Sequence, residues 1–268
     1  MLGLVFAPSV EPRNAIVVFI VLHVFLFTAS NGFNSYYDRD EESIGALKNP
    51  PPVTRDLLWF SLALDAIGLA IATLAGWKFF LGCCIYQTAS KIYSWNGTRL
   101  KKHGVAAWLF VGAGQGSCVF FLVLISLGNL SGDAYSIALK NILPALFTGF
   151  FLLGMFPLTQ IYQHREDARR GDRTLSRMLG IRGTFLCSAF FMVAAIIGLY
   201  FCLFECYGRG VAFLFLGTLV PVVYYFGKWF FACRKRAEAA DFGHCMRLNI
   251  LASTALNLFG AAIFFFTR

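Results

Sequence analysis

The chain has 268 residues, 58% of them hydrophobic and 17% aromatic, and its mean hydropathy is +0.66. That leaves too little polar surface to cover a soluble globule, so the composition excludes a soluble enzyme and points to an integral membrane protein. A net charge of +9 raises nucleic acid as a partner, but the basic residues sit in loops between apolar runs, which argues for no nucleic acid and for contact with membrane lipid.

Residues 1 to 8 (MLGLVFAP) are apolar but too short to span, and they lack the basic flank and small-residue cleavage site of a signal peptide. Asn14 to roughly Phe33 is the first run near the ~20 residues a helix needs to cross a bilayer. It runs straight into an acidic stretch containing Asp38, Asp40, Glu41 and Glu42. Pro50, Pro51 and Pro52 forbid helix in the loop that follows, and Thr54 is placed to cap the next span, Arg55 to roughly Ala75. Asp65 falls in the middle of that span, as either a functional group or a hydrogen-bond partner for a neighbouring helix.

Gly76 and Trp77 make a turn before a span from roughly Lys78 to Ser94. Gln87, Lys91 and Tyr93 lie near its end. Lys91 either snorkels to the interface or points inward, where it would hold a phosphate. Asn96-Gly97 signals a turn, and Arg99, Lys101 and Lys102 serve either anionic lipid or substrate. The next span, Gly104 to roughly Gly128, carries Gly112, Gly114 and Gly116. With no strand before them these are not a nucleotide fingerprint, and they read as sites of close helix approach. Asn129 to Asp133 is a short loop. Pro144 and Pro157 should bend the span from Tyr135 to roughly Leu158. A second polar island runs from Thr159 to Arg182. The last spans are Thr184–Leu203, Gly208–Phe231 and Leu248–Phe266, with a loop at Arg234–Arg247 between the final two.

The expected fold is thus all-α, a polytopic transmembrane helix bundle of eight full spans forming a single integral membrane domain over residues 1–268. Threading the chain puts every one of its 23 Lys and Arg on one side except Arg13, Lys78, Lys140, Arg209 and Arg268, which makes that side cytoplasmic. Both acidic islands fall there too. The eight cysteines form no C-x-x-C pair and read as small buried apolar residues.

If the first span's helix continues through the acidic stretch, Asn34, Asp38 and Glu42 recur every four residues on one face; Gln163 and Asp167 share that spacing in the second island. The bland reading makes these solvated loop charges. Against it, the acids are grouped with Asn34, Tyr36 and Tyr37, and Asp167 is mixed with many arginines. Hard divalent cations such as Mg²⁺ take oxygen ligands and share them with a substrate phosphate, while guanidinium groups bind the remaining phosphate oxygens. Two such helix ends opening into one central cavity would make a metal–diphosphate site.

The run NSYYDRDEE resembles the first aspartate-rich motif of the UbiA family of intramembrane prenyltransferases, EDARRGDRTL resembles the second motif with its following G-x-x-T-L, and YSWNGTRLKK resembles the Y-S-x-x-x-x-R-L-K segment between them. The resemblance implies a Mg²⁺-dependent transfer of an isoprenoid from its diphosphate to an apolar or aromatic acceptor, with a slight tilt toward a quinone precursor. It implies Asn34, Asp38 and Glu42 on one Mg²⁺, Gln163 and Asp167 on the other, Lys91, Arg99 and Arg165 on the diphosphate, and Tyr93 lining the pocket; Asp38 and Asp167 are the acids expected to carry the reaction. It also implies nine spans, so residues 1 to 8 are expected to be the tail of a truncated first helix. Ser35 and Gln163 stand where the family has aspartates, and Asp40, Glu41, Glu166 and Asp172 are placed to compensate. A membrane terpene cyclase, and a non-catalytic transporter or scaffold, are the alternative functions.

Overall fold

The structure is a computed structural model that describes residues 2–7, 10–39, 42–43, 45, 47–98, 100–127 and 137–266. It contains helices α1 (Leu2–Phe6), α2 (Pro12–Asp38), α3 (Arg55–Ala75), α4 (Trp77–Ser94), α5 (Gly104–Leu127), α6 (Leu143–Thr159, entered through a π turn at Ala138–Ile142), α7 (His164–Arg170), α8 (Leu175–Tyr207), α9 (Arg209–Lys235) and α10 (Phe242–Phe266). No strand occurs among the described residues.

Among the described residues, seven stretches are long and apolar enough to cross a membrane: α2, α3, α5, Ala138–Arg170, α8, α9 and Phe242–Phe265. The expected count of eight full spans also included α4. That helix has 18 residues but carries Lys78, Gln87 and Lys91 and is not among the seven. Leu2–Phe6 is a helix, as the apolar start suggested; Leu2, Val5 and Phe6 are buried in the main core.

Pro12 sits in the first turn of α2, where its missing N–H costs nothing. Thr54 stands at the N-cap position of α3 but bonds the Asp56 carboxylate at 3.3 Å in place of a backbone N–H. Gly76, with φ 103°, makes the turn into α4. The glycines of α5 have the expected packing role: a Cβ on Gly116 would lie 2.5 Å from the Gly149 Cα of α6, so the backbones meet there. Pro144 falls in the first turn of α6, directly after the π turn at Ala138–Ile142, while Pro157 lies near its end, just before Thr159.

Two expectations need correction. The helix of α2 stops at Asp38, because Arg39 adopts the left-handed conformation (φ 49°, ψ 47°) and its N–H closes on the Ser35 carbonyl. Asn34 and Asp38 therefore share a helix face and Glu42 does not. The Thr159–Arg182 island comprises α7, the expected acidic helix end, and the start of α8, which breaks at Gly180 (φ 66°) before resuming. The expected Arg234–Arg247 loop shrinks because α9 reaches Lys235 and α10 starts at Phe242.

Side chains pack into two apolar clusters. One joins α2, α3, α4 and Leu122 of α5, around Val21, Leu26, Phe79 and Cys83. The other unites α1 and the later helices around Phe185, Leu199, Phe215, Trp229 and Phe259. All eight cysteines are free.

Candidate functional site

A cavity of about 680 Å³ is lined from both halves of the chain: Asn34 and Asp38 on α2, Tyr93 and Ser94 on α4, Gln115 on α5, Phe156 and Thr159 on α6, Gln160 to Thr174 around α7, and Met246 and Asn249 on α10. Among the described residues, four acids line it (Asp38, Glu166, Asp167, Asp172) with two bases (Lys101, Arg170).

Asn34 orients the α2 end. Its amide nitrogen donates to Asp38 Oδ2 at 2.7 Å, and its Oδ1 accepts from Ser94 Oγ at 2.8 Å and from Lys101 Nζ at 3.4 Å. Lys101 also forms an ion pair with Asp38 Oδ1. Burial pulls the Lys101 ammonium down to about 8; nearby Asp172 and Asp167 oppose that pull, and Arg170 adds to it.

The α7 end is organised by its own backbone. Thr174 Oγ1 donates to Asp167 Oδ2 at 2.9 Å, Arg177 donates to the carbonyls of Asp167 (3.1 Å) and Asp172, and Gly171 in the left-handed conformation closes the helix. Arg170 pairs with buried Glu166 at 2.6 Å in the i,i+4 arrangement and also reaches the Arg39 carbonyl at 3.1 Å. Arg169 pairs with Glu42 at 3.2 Å, and Gln163 donates to the Ser43 carbonyl at 3.4 Å. Three bonds thus tie Gln163 and α7 to the segment that follows α2, across more than a hundred residues of sequence. The turn bearing Lys101 is fastened to the same place: His103 and Arg173 form a parallel backbone bridge, and a Cβ on Gly104 would lie 2.3 Å from the Arg173 carbonyl oxygen.

Of the residues expected at the site, Asn34, Asp38, Tyr93, Gln163 and Asp167 line the cavity together. Glu42 does not: its side chain is 41% exposed and engages Arg169. Arg165 is exposed and off the lining. Lys91 points inward, as one of its two readings held, but toward Asp65 at 2.5 Å and over the Phe33 ring at 4.8 Å. Gln87 completes that group, donating to Asp65 at 2.6 Å and to the Leu26 carbonyl at 2.9 Å while accepting from Ser30 at 2.8 Å. Asp65 is therefore a partner for a neighbouring helix. Arg99, Asp40 and Glu41 lie outside the described residues.

Gln115 and Asn249 line the cavity without having been singled out for it; Lys101, read as serving either lipid or substrate, and Arg170, one of the second island's excess arginines, line it too. Lys101 and Arg170 stand inside the two motif runs, so the signal existed; Asn249 was readable as an amide within an apolar span. Glu166 and Asp172, placed from the sequence as compensating acids, do line the cavity.

The donor set suits Mg²⁺. Every acid and amide is an oxygen ligand, and the Lys101 ammonium already lies against both Asn34 Oδ1 and Asp38 Oδ1, so these oxygens face one cation position. No three His, Cys, Asp or Glu side chains gather tightly enough among the described residues to hold a metal between them. Mg²⁺ does not require that, since it commonly takes one or two carboxylates and fills its shell with water and substrate phosphate.

Apolar spans around an acid- and amide-lined cavity, closed by crossed bonds between two distant segments, define a polytopic membrane protein with a polar reaction chamber. The sequence matches the UbiA prenyltransferase family over residues 1–251. The chain belongs to that family and is an intramembrane prenyltransferase. It is 28% identical over 204 residues to the digeranylgeranylglyceryl phosphate synthase of Thermococcus gammatolerans, covering 74% of this chain and 69% of that one. Its fold superposes on a UbiA homologue from Aeropyrum pernix K1 with TM-score 0.70 (18% identity; 96% of this chain, 93% of that one). It also superposes on a UbiA homologue from Archaeoglobus fulgidus bound to GPP and Mg²⁺, with TM-score 0.68 (16% identity; 98% and 93%).

Proposed function

We propose that this cavity binds an isoprenyl diphosphate with Mg²⁺ at its cytoplasmic mouth and passes the isoprenyl group to a hydroxyl of a glycerol-phosphate lipid. The observation that carries the reading is that Asp38 and Asp167 line one cavity while Arg170 reaches from α7 to the end of α2. Asn34 and Asp38 would hold one ion, and Asp167 the other with Gln163; Glu166 and Asp172 add the charge that Gln163 lacks. Bound Mg²⁺ would neutralise the leaving diphosphate.

The protein's own groups do the rest. Lys101 supplies the lining ammonium nearest Asp38. Tyr93, stacked on Phe110 with centroids 5.7 Å apart, turns an aromatic wall to the cavity, and Phe156 adds a second; such faces tolerate a developing allylic cation. Val111, Phe156 and Met246 keep part of the wall apolar, which limits capture of that cation by water.

Two observations support a hydroxyl acceptor over an aromatic carboxylate. The named product of the Thermococcus relative is a prenylated glyceryl phosphate. Within the cavity the neutral polar groups are amides and hydroxyls (Asn31, Gln115, Thr159, Gln160, Asn249), and both described lining cations already have acid partners. The excess of basic residues on one side of the spans supports a cytoplasmic mouth.

The test is purified protein in lipid nanodiscs given labelled geranylgeranyl diphosphate, with geranylgeranylglyceryl phosphate or a hydroxynaphthoate as acceptor. The expected result is a labelled diether that requires Mg²⁺. Prenylated naphthoate alone would overturn the acceptor, and hydrocarbon or alcohol released without any acceptor would make the protein a cyclase. Undiminished function in Asp38→Ala and Asp167→Ala would end the metal–diphosphate reading and favour a transporter or scaffold.

A further inference from the structure

We infer that Lys101 is a built-in counter-cation of the Asn34–Asp38 seat, so that its ammonium and a divalent ion are alternative occupants and donor diphosphate drives the exchange. The inference rests on the metal–diphosphate reading above and deepens it.

The seat is built to present oxygen. Asn34 spends its amide nitrogen on Asp38 Oδ2 at 2.7 Å, which turns its Oδ1 outward beside Asp38 Oδ1. Ser94 fixes that Oδ1 from the far side at 2.8 Å, and the Lys101 ammonium lies against both oxygens. The reversed amide would set its NH₂ against the ammonium and its oxygen against the Asp38 carboxylate, so the network itself determines the orientation. Lys101 and Asp38 side chains are each 11% exposed. A carboxylate that far from water needs a cation, and among the described lining residues Lys101 is the one it has.

Two positive charges cannot share that position. A divalent ion arriving at Asn34 and Asp38 must displace the ammonium, which then needs another anionic partner; Asp167 and Asp172 stand nearby, but in the reading above they serve the second ion. A diphosphate provides one. The backbone does not have to move, because the turn carrying Lys101 is pinned through the His103–Arg173 bridge and the tight Gly104 contact; rotation of the four-carbon stem is enough. The consequence is linkage: metal binds weakly alone and strongly with diphosphate, and Lys101 carries part of the coupling.

The experiment titrates Mn²⁺, read by electron paramagnetic resonance, into the full chain in nanodiscs with and without inorganic pyrophosphate. Lys101→Met removes the charge at similar length, and Lys101→Arg retains it. The expected result is that Lys101→Met binds Mn²⁺ more tightly than the parent without pyrophosphate, by about 5- to 150-fold, and gains less when pyrophosphate is added. Lys101→Arg should stay close to the parent. If Lys101→Met, still monodisperse, binds Mn²⁺ no more tightly than the parent while both bind it with pyrophosphate, the exchange is overturned and the metal site stands. If the parent binds no Mn²⁺ even with pyrophosphate, both fall.

Discussion

Replacing Lys91 with methionine should destabilise the protein while leaving its affinity for donor diphosphate nearly unchanged. Lys91 Nζ lies 2.5 Å from Asp65 Oδ2, with the two side chains 20% and 12% exposed. At an effective dielectric of about 20, that separation corresponds to a gross attraction of about 7 kcal/mol, much of it offset by desolvation of both ions. Lys91→Met leaves the Asp65 carboxylate with Gln87, and truncating one partner of such a pair typically costs about 3–5 kcal/mol. For a domain of this size that corresponds to a fall in Tm on the order of 10 °C. Replacing both ions with apolar residues, Asp65→Leu with Lys91→Met, should recover most of the loss, because no lone charge remains. Thermal exposure of Cys83, buried on the same helix α4, to a thiol-reactive dye in detergent reports the unfolding. If Lys91→Met keeps the parent Tm and loses donor affinity, then Lys91 is a ligand for phosphate and the assignment to Asp65 is wrong.

Asp38→Asn should lower prenyl transfer by at least about a hundredfold, whereas Glu42→Gln, at an exposed pair with Arg169, should change it less than about threefold; steady-state rates at saturating Mg²⁺ separate the two. Donor affinity should fall as pH rises through about 8, where Lys101 loses its proton, and Lys101→Arg should remove that alkaline limb in a binding titration. Because burial lowers Lys101 from the ordinary 10.5, the unfolded chain holds a proton between about 8 and 10.5 that the folded chain has released, so this group makes stability rise with pH across that window. Gly104→Ala places a Cβ 2.3 Å from the Arg173 carbonyl and should loosen the Lys101 turn, seen as weaker pyrophosphate binding together with a lower Tm.

Run length and apolarity made the helical bundle readable, and the polar residues of α4 explain why the eighth span is the ambiguous one. The convergence of the Asp38 and Asp167 segments was an inference from grouping, and both do line one cavity. Spacing misled at Glu42. Nothing in YYDRDEE announces a stop, since no glycine or proline is present, and the left-handed turn falls on an arginine. The helix end expected in the island after Thr159 is present, but hydropathy did not give its bounds, because it does not weigh the i,i+4 pairing of Glu166 with Arg170 that lets a charged helix form. Asp65 and Lys91 were each noticed alone; only the packing of α3 against α4 shows that they answer one another. Lys101 stood in plain view in the basic run, but that it and not Lys102 lines the cavity follows from how the turn is fastened at the His103–Arg173 bridge, a contact between loops far apart in sequence.

The account is tested most directly by locating bound metal in crystals grown with Mn²⁺ and a non-cleavable thio-analogue of geranylgeranyl diphosphate. It predicts anomalous density beside the carboxylates of both Asp38 and Asp167, at separations of about 2.0–2.3 Å, joined through the diphosphate oxygens. Metal found against only one of these acids, or elsewhere in the bundle with the diphosphate held by side chains alone, would contradict it.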